Sequence, residues 1–232
     1  MGGLNGNEGI IMIKAVVFDM DGVLIDSVEI GFQARKKLLA KYNVDLNAIP
    51  DPQGEGHRAA SLKTLLANVK NYHGIAIDHE EFALASKENL REDLEEHGAF
   101  ADPGLITFLH ELRQHGVTCA IVSSSLREKV DIKLEVLGIR QYFSVIVTGR
   151  DVKEHKPHPE PYIYALKKLA LSSKDCVIFE DSLTGVQAAR AAGCRVIGFT
   201  QYNPPKEPLP GVVMTVKSWD DINYKKLEAN CA

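Results

Sequence analysis

The chain has 232 residues, enough for one large domain or a domain with a smaller companion. Apolar residues make up 45% and charged residues 25%, the balance of a soluble globular protein. A formal net charge of -4 gives no electrostatic case for nucleic acid or an anionic membrane, and no apolar run approaches the ~20 residues that span a bilayer.

In chain order, residues 1–12 come first. They are polar and Gly-rich, lack the basic and apolar regions of a signal peptide, and read as a disordered extension. Met12 could be an alternative start. "IKAVVF" (13–18) then reads as a buried strand, apolar on both faces. From Ile30 to Ala101 no strand is predicted. The segments "VEIGFQARKKLLAKY", "RAASLKTLLANVKNYHG" and "HEEFALASKENLREDLEEHG" are helical in pattern, with 49–56 a loop between two of them. After that, helices at 103–116, 126–138, 159–170 and 182–193 alternate with strands at 117–122, 143–148, 176–180 and 195–199. This alternation predicts an α/β fold with a doubly wound parallel sheet. Its core would comprise residues 13–29 and 102–232, with an α-helical cap inserted at 30–101. The tail around 216–222 is expected to pack, with Trp219 as an anchor.

Four cysteines, Cys119, Cys176, Cys194 and Cys231, form no CxxC or Cys/His zinc pattern. Three sit in or beside predicted strands. Buried free thiols in a reducing cytoplasm are the expectation.

The chemistry-bearing residues gather at strand ends, where open α/β sheets bind ligands. The first strand runs into Asp19 and Asp21. On an extended backbone the two side chains share a face, and two such anions repel unless a cation separates them. Mg²⁺ suits oxygen ligands of this kind. Solvated turn residues are the bland alternative, since Asp-Gly favours turns. The second strand ends in Ser123–Ser125, the fourth in Glu180 and Asp181, and Lys156 precedes a helix. Each alone could be a helix cap or a surface charge. Together they point to phosphoryl transfer: a carboxylate nucleophile, positive charge and hydrogen-bond donors for the phosphoryl oxygens, and a second carboxylate to move protons.

In this combination the sequence resembles the haloacid dehalogenase-like superfamily, in its β-phosphoglucomutase-like phosphatase branch. "FDMDGVLIDS", "VSSS", "HKPHPEPY" and "FEDSLTGVQAARAAG" match the four family motifs in order, and the likeness covers the chain from Lys14 onward. The long gap between Asp19 and Ser123 matches members with a helical cap there. The resemblance implies Asp19 as nucleophile and Mg²⁺ ligand, and Asp21 as general acid/base whose backbone carbonyl also binds the metal. It implies Ser123 as a phosphoryl holder and Lys156 as a bridge between Asp19 and the transferring group. Asp181 would bind Mg²⁺, with Glu180 binding it directly or through water. Ser124 and Ser125 are candidate substrate-binding neighbours. The peptide bond before Pro157 can be cis in such proteins.

The second aspartate separates this chain from the haloacid dehalogenases, which attack carbon and lack it. The first motif also fits phosphonoacetaldehyde hydrolases poorly. The resemblance therefore implies a cytoplasmic, Mg²⁺-dependent phosphatase, expected to be a monomer. It would hydrolyse a small phosphorylated metabolite, with sugar phosphates as candidates, through an aspartyl-phosphate. The alternative is a phosphoglucomutase-type transferase, in which Arg58 would grip a second phosphate by bidentate bonds. His57 reads as a surface residue, and Arg127 could reach a phosphate from a helix N-terminus. Mutases usually carry a His where this chain has Gly31 and Phe32, which favours a phosphatase. A glycine there would leave room for substrate or for hinge motion. A phospho-accepting switch protein is disfavoured by the cap and by the paired aspartates. Asp26 and Ser27 read as helix caps.

Overall fold

The run Ala15–Phe18 forms β1, the strand that carries the paired aspartates, and every residue in it is buried. The computed structural model describes residues 12–49 and 62–231. After β1 the cap helices follow: α1 (Ser27–Ala40), α2 (Leu62–His73), α3 (His79–Glu88) and α4 (Leu90–Glu96). The core resumes with α5 (Pro103–Gln114), β2 (Thr118–Val122), α6 (Arg127–Val136), β3 (Phe143–Val147) and α7 (Glu160–Leu169). It ends with β4 (Cys176–Glu180), α8 (Leu183–Ala191), β5 (Arg195–Phe199), β6 (Met214–Val216) and α9 (Tyr224–Cys231).

The six strands lie in the order β3-β2-β1-β4-β5-β6, every neighbouring pair parallel. Alternate residues of β1 serve opposite faces. Val16 and Phe18 join one apolar cluster with Phe108, Phe179 and Trp219, while Ala15 and Val17 join another with Tyr162 and Ile178. A third cluster, around Leu39, Leu65 and Phe82, lies within the cap. Order reverses between β1 and β4, so the crevice beyond their carboxyl ends is the switch point at which such sheets bind ligands.

The five predicted strands are all present. β6 and α9 were not anticipated. One long helix was expected over 79–98, but the chain breaks at Asn89, whose side chain bonds back to the Ala85 carbonyl at 2.9 Å. Trp219 is buried, with its ring 4.3 Å from that of Phe199. All four cysteines are free and buried. Among the described residues no helix is long and apolar enough to cross a membrane.

Candidate active site

β1 pairs with β4, and the pairing continues one step beyond the strand: the Asp19 N–H donates to the Phe179 carbonyl at 2.9 Å. This register sets Asp19 beside Glu180, the last residue of β4, and Asp181, the next one. Carboxylate oxygens of all three lie within 4.8 Å of one another, and all three residues are buried. Two glycines make the approach possible. A Cβ at Gly22 would fall 2.1 Å from an Asp181 oxygen, and one at Gly185, in the first turn of α8, 2.0 Å from the Glu180 carboxyl.

Lys156 closes this cluster. Its ammonium lies 2.5 Å from Asp19 Oδ1, 2.6 Å from Glu180 Oε1 and 3.2 Å from the Val122 carbonyl, and the Lys156–Pro157 peptide that follows it is cis. Glu180 is further tied by the Tyr162 hydroxyl at 2.5 Å and the Ser182 hydroxyl at 3.2 Å. Asn203, on the loop after β5, donates to Asp181 Oδ2 at 3.1 Å.

Asp21 has a different set of partners. The strand ends at Phe18, and the chain turns sharply through Gly22, whose φ is +89°. The two carboxylates remain close enough for Asp21 to add to the upward push on Asp19, but each has its own partners. The Asp21 carboxylate accepts from Ser125 Oγ at 2.8 Å, from the Ser27 side chain, and from the ammonium of Lys133 on α6. Its side chain is outside the acidic cluster, so a metal role for Asp21 would fall to its backbone carbonyl.

Ser123 is buried, and its hydroxyl accepts from the Ser125 N–H at 3.1 Å, closing the turn after β2. Ser124 is exposed. Asp26 caps α1 by accepting from the Glu29 N–H at 3.2 Å, as expected. Ser27 instead faces Asp21. Arg127 is exposed and paired with Asp131 at 2.8 Å. A cavity of about 210 Å³ opens on Asp21 between cap and core, and its basic lining comes from Lys129 and Lys133, with Arg127 outside it. Gly31 lines the same cavity, and a Cβ there would meet nothing within 4 Å. Arg58 and His57 lie outside the described residues.

Lys133, Asn203 and Tyr162 escaped sequence reasoning. Lys133 sits in "REKVDIKLEV", where alternating charge suggests a solvated helix face. Its spacing from Val130 and Leu134, on the buried side, was the available signal.

The electrostatics follow from burial. Desolvation pushes the Asp19 carboxyl well above its usual range; Lys156 opposes this, while Glu180, Asp181 and Asp21 add to it. Burial, then Glu180, pushes Asp181 up to about 6. Lys156 shows the reverse: burial would lower it, but Asp19 and Glu180 hold it well above its usual value. Burial would also raise Asp21, yet Lys133, Ser27 and Ser125 together bring it below the ordinary carboxylate value. Four carboxylates thus face two buried lysines. A divalent cation bound by hard oxygen donors would balance that charge, so the donor set fits Mg²⁺.

Fold and acids together define a capped α/β enzyme with a metal-compatible carboxylate cluster. The family of haloacid dehalogenase-like hydrolases matches residues 16–199. The phosphorylated carbohydrates phosphatase of Thermotoga maritima is 31% identical over 227 residues, spanning 92% of this chain and 99% of that protein. The crystal structure of CbbY from Rhodobacter sphaeroides in complex with phosphate has a TM-score of 0.74 at 26% identity, covering 90% of this chain and 96% of its own. A crystal structure described as a β-phosphoglucomutase from Thermotoga maritima has a TM-score of 0.74 at 26% identity, covering 90% of this chain and 97% of that one. The chain belongs to the haloacid dehalogenase-like hydrolases, in their β-phosphoglucomutase-like branch, and is a phosphoric monoester hydrolase.

Proposed function

We propose that this enzyme is a Mg²⁺-dependent phosphatase of a small phosphorylated metabolite, a sugar phosphate foremost, acting through an aspartyl-phosphate on Asp19. The observation that carries this reading is the division of the two aspartates: Asp19 is buried against Lys156 and the acidic cluster, and Asp21 is held apart at the cap cavity. The name of the Thermotoga relative supports the substrate class.

In the first step a carboxylate oxygen of Asp19 attacks phosphorus, and the bond from phosphorus to the leaving oxygen breaks. Asp21, an ionised carboxylate in the free protein, takes up a proton from solvent as substrate binds and gives it to that oxygen as it departs. In the second step Asp21 takes a proton from water, whose oxygen attacks the same phosphorus. Phosphate leaves and the Asp19 carboxylate is restored. Lys156 and the Ser123 hydroxyl hold phosphoryl oxygens throughout. Asp19, Glu180 and Asp181 would hold the metal, which supplies positive charge against the phosphoryl oxygens when bound. The cavity beside Asp21, near 210 Å³, is smaller than the ~300–1,000 Å³ pockets of drug-sized ligands and suits a small leaving alcohol. The four free, buried cysteines fit a reducing compartment.

The test is a phosphate-release screen over sugar phosphates, polyol phosphates, nucleotides and pyrophosphate with Mg²⁺. Asp19→Asn is expected to abolish turnover, and EDTA to suppress it until Mg²⁺ is restored. Full activity in Asp19→Asn would sink the mechanism. Sugar isomerisation with a bisphosphate activator, without net phosphate release, would establish the transferase instead.

A further inference from the structure

Lys133 occupies a position that packing alone would give to an apolar residue. It lies on the buried side of α6 between Val130 and Leu134, and its side chain is only 8% exposed, against 33% for the Asp21 side chain it meets. Burying an ammonium costs several kcal/mol, of order, before any partner compensates, and a well-packed apolar residue in place of a buried pair is often as stable. Stability is therefore a weak reason for this lysine. Among the described residues its ammonium pairs with a carboxylate that the proposed reaction uses.

We propose that Lys133 is a positioning residue for Asp21: its anchored ammonium, with Ser125 and Ser27, holds the Asp21 carboxylate at the cap cavity and apart from Asp19. Three elements converge on that carboxylate: α6, the turn after β2, and the first turn of α1. Asp21, Ser27, Ser125 and Lys133 all line the one cavity, so the carboxylate is fixed where a leaving oxygen would sit. Lys156 does the corresponding work for Asp19. Two lysines on separate elements thus sort two neighbouring aspartates into separate tasks. Without Lys133, Asp21 would keep only hydroxyl donors and could turn toward any cation bound at Asp19. The proposal rests on the reading of Asp21 as acid/base.

The experiment compares parent, Lys133→Met, Lys133→Arg, Asp21→Asn and the Asp21→Asn/Lys133→Met double variant, with folding checked by thermal melting. Lys133→Gln replaces Lys133→Met if the latter does not fold. Substrates are p-nitrophenyl phosphate, whose leaving group departs without a proton, and the best alkyl phosphate from the screen. General acid–base catalysis contributes about 10²–10⁴-fold, so Lys133→Met is expected to lower kcat on the alkyl phosphate by ~10–100-fold with KM little changed. The loss should be smaller at equal p-nitrophenyl phosphate saturation in a burst measurement. Lys133→Arg should regain part of the rate, and the double variant should be no slower than Asp21→Asn alone. An equal further loss in the Asp21→Asn background, or a rise in KM with kcat intact, would overturn the proposal. An active Lys133→Met beside an inactive Asp21→Asn overturns the role of Lys133 while the acid/base reading stands. Full activity in Asp21→Asn removes both.

Discussion

A methyl group on Gly22 would lie 2.1 Å from an oxygen of Asp181, so the turn after β1 and the turn after β4 meet with no space for a side chain between them. Gly22 also has a φ of +89°, a region L residues rarely enter. Gly22→Ala should therefore act twice. The backbone strain costs about 1–2 kcal/mol, and the methyl pushes Asp181 out of the acidic cluster. The expected result is a lower melting temperature together with a Mg²⁺ concentration for half-activation raised by tenfold or more. A variant that melts lower yet keeps the parental Mg²⁺ dependence would show that Asp181 does not depend on this approach.

Lys156 lies within 2.6 Å of both Asp19 and Glu180. Removing its charge leaves two buried carboxylates facing one another, and breaking a buried pair in this way costs ~3–5 kcal/mol. Lys156→Met should lose turnover by at least ~10²-fold. A cation that binds the folded state stabilises it in proportion to its affinity. Mg²⁺ should then raise the melting temperature of Lys156→Met more than that of the parent, since the metal takes over part of the missing charge. Equal Mg²⁺ shifts in the two proteins would argue against a metal beside Asp19.

Much of this was legible in the sequence for a physical reason. Strands covered on both faces read as continuous apolar runs, and the acids that follow them stand out by contrast. Asp19, Glu180 and Asp181 stand out that way, while Trp219 was expected as a packing anchor in the tail. β6 escaped because three residues, Met-Thr-Val, carry too little pattern. α9, "YKKLEANC", is short and mostly polar, with Leu227 and Cys231 its buried residues. Lys133 escaped because a lysine in a charged helix looks solvated until the fold shows what lies beneath it. The separate partners of Asp21 come from α1, the turn after β2 and α6, segments that its own stretch of sequence does not reveal.

At the opposite end of the sheet, Asp175 just before β4 is paired with Lys14 just before β1 at 2.8 Å. Lys14, then the Ser172 side chain and N–H, bring its carboxyl from 3.8 down to about 2. A carboxyl lowered in the folded state stabilises it above the unfolded value, and this is lost as pH falls through the folded value. The stability difference between the parent and Asp175→Asn should thus be full near neutrality and shrink between about pH 4 and pH 2. Urea midpoints for both proteins across that range measure it. A difference that stays constant with pH would mean that hydrogen bonding, rather than charge, accounts for the contribution.

Gly31 separates two uses of the cap. It lies inside α1 and faces the cavity beside Asp21, and a Cβ there has open space around it. Glycine within a helix is destabilising by roughly 0.5–1 kcal/mol relative to alanine, so Gly31→Ala should raise the melting temperature. If the glycine exists to leave room for substrate, Gly31→Phe fills that room, and an overpacked site loses about 1–3 kcal/mol. KM for a hexose phosphate should then rise by roughly tenfold, while a phosphomonoester with a two-carbon leaving group is affected much less. A hinge role predicts another pattern, in which Gly31→Ala and Gly31→Phe slow both substrates alike through kcat. Steady-state kinetics on the two substrates decides between them, and the size dependence is the result expected from the open cavity.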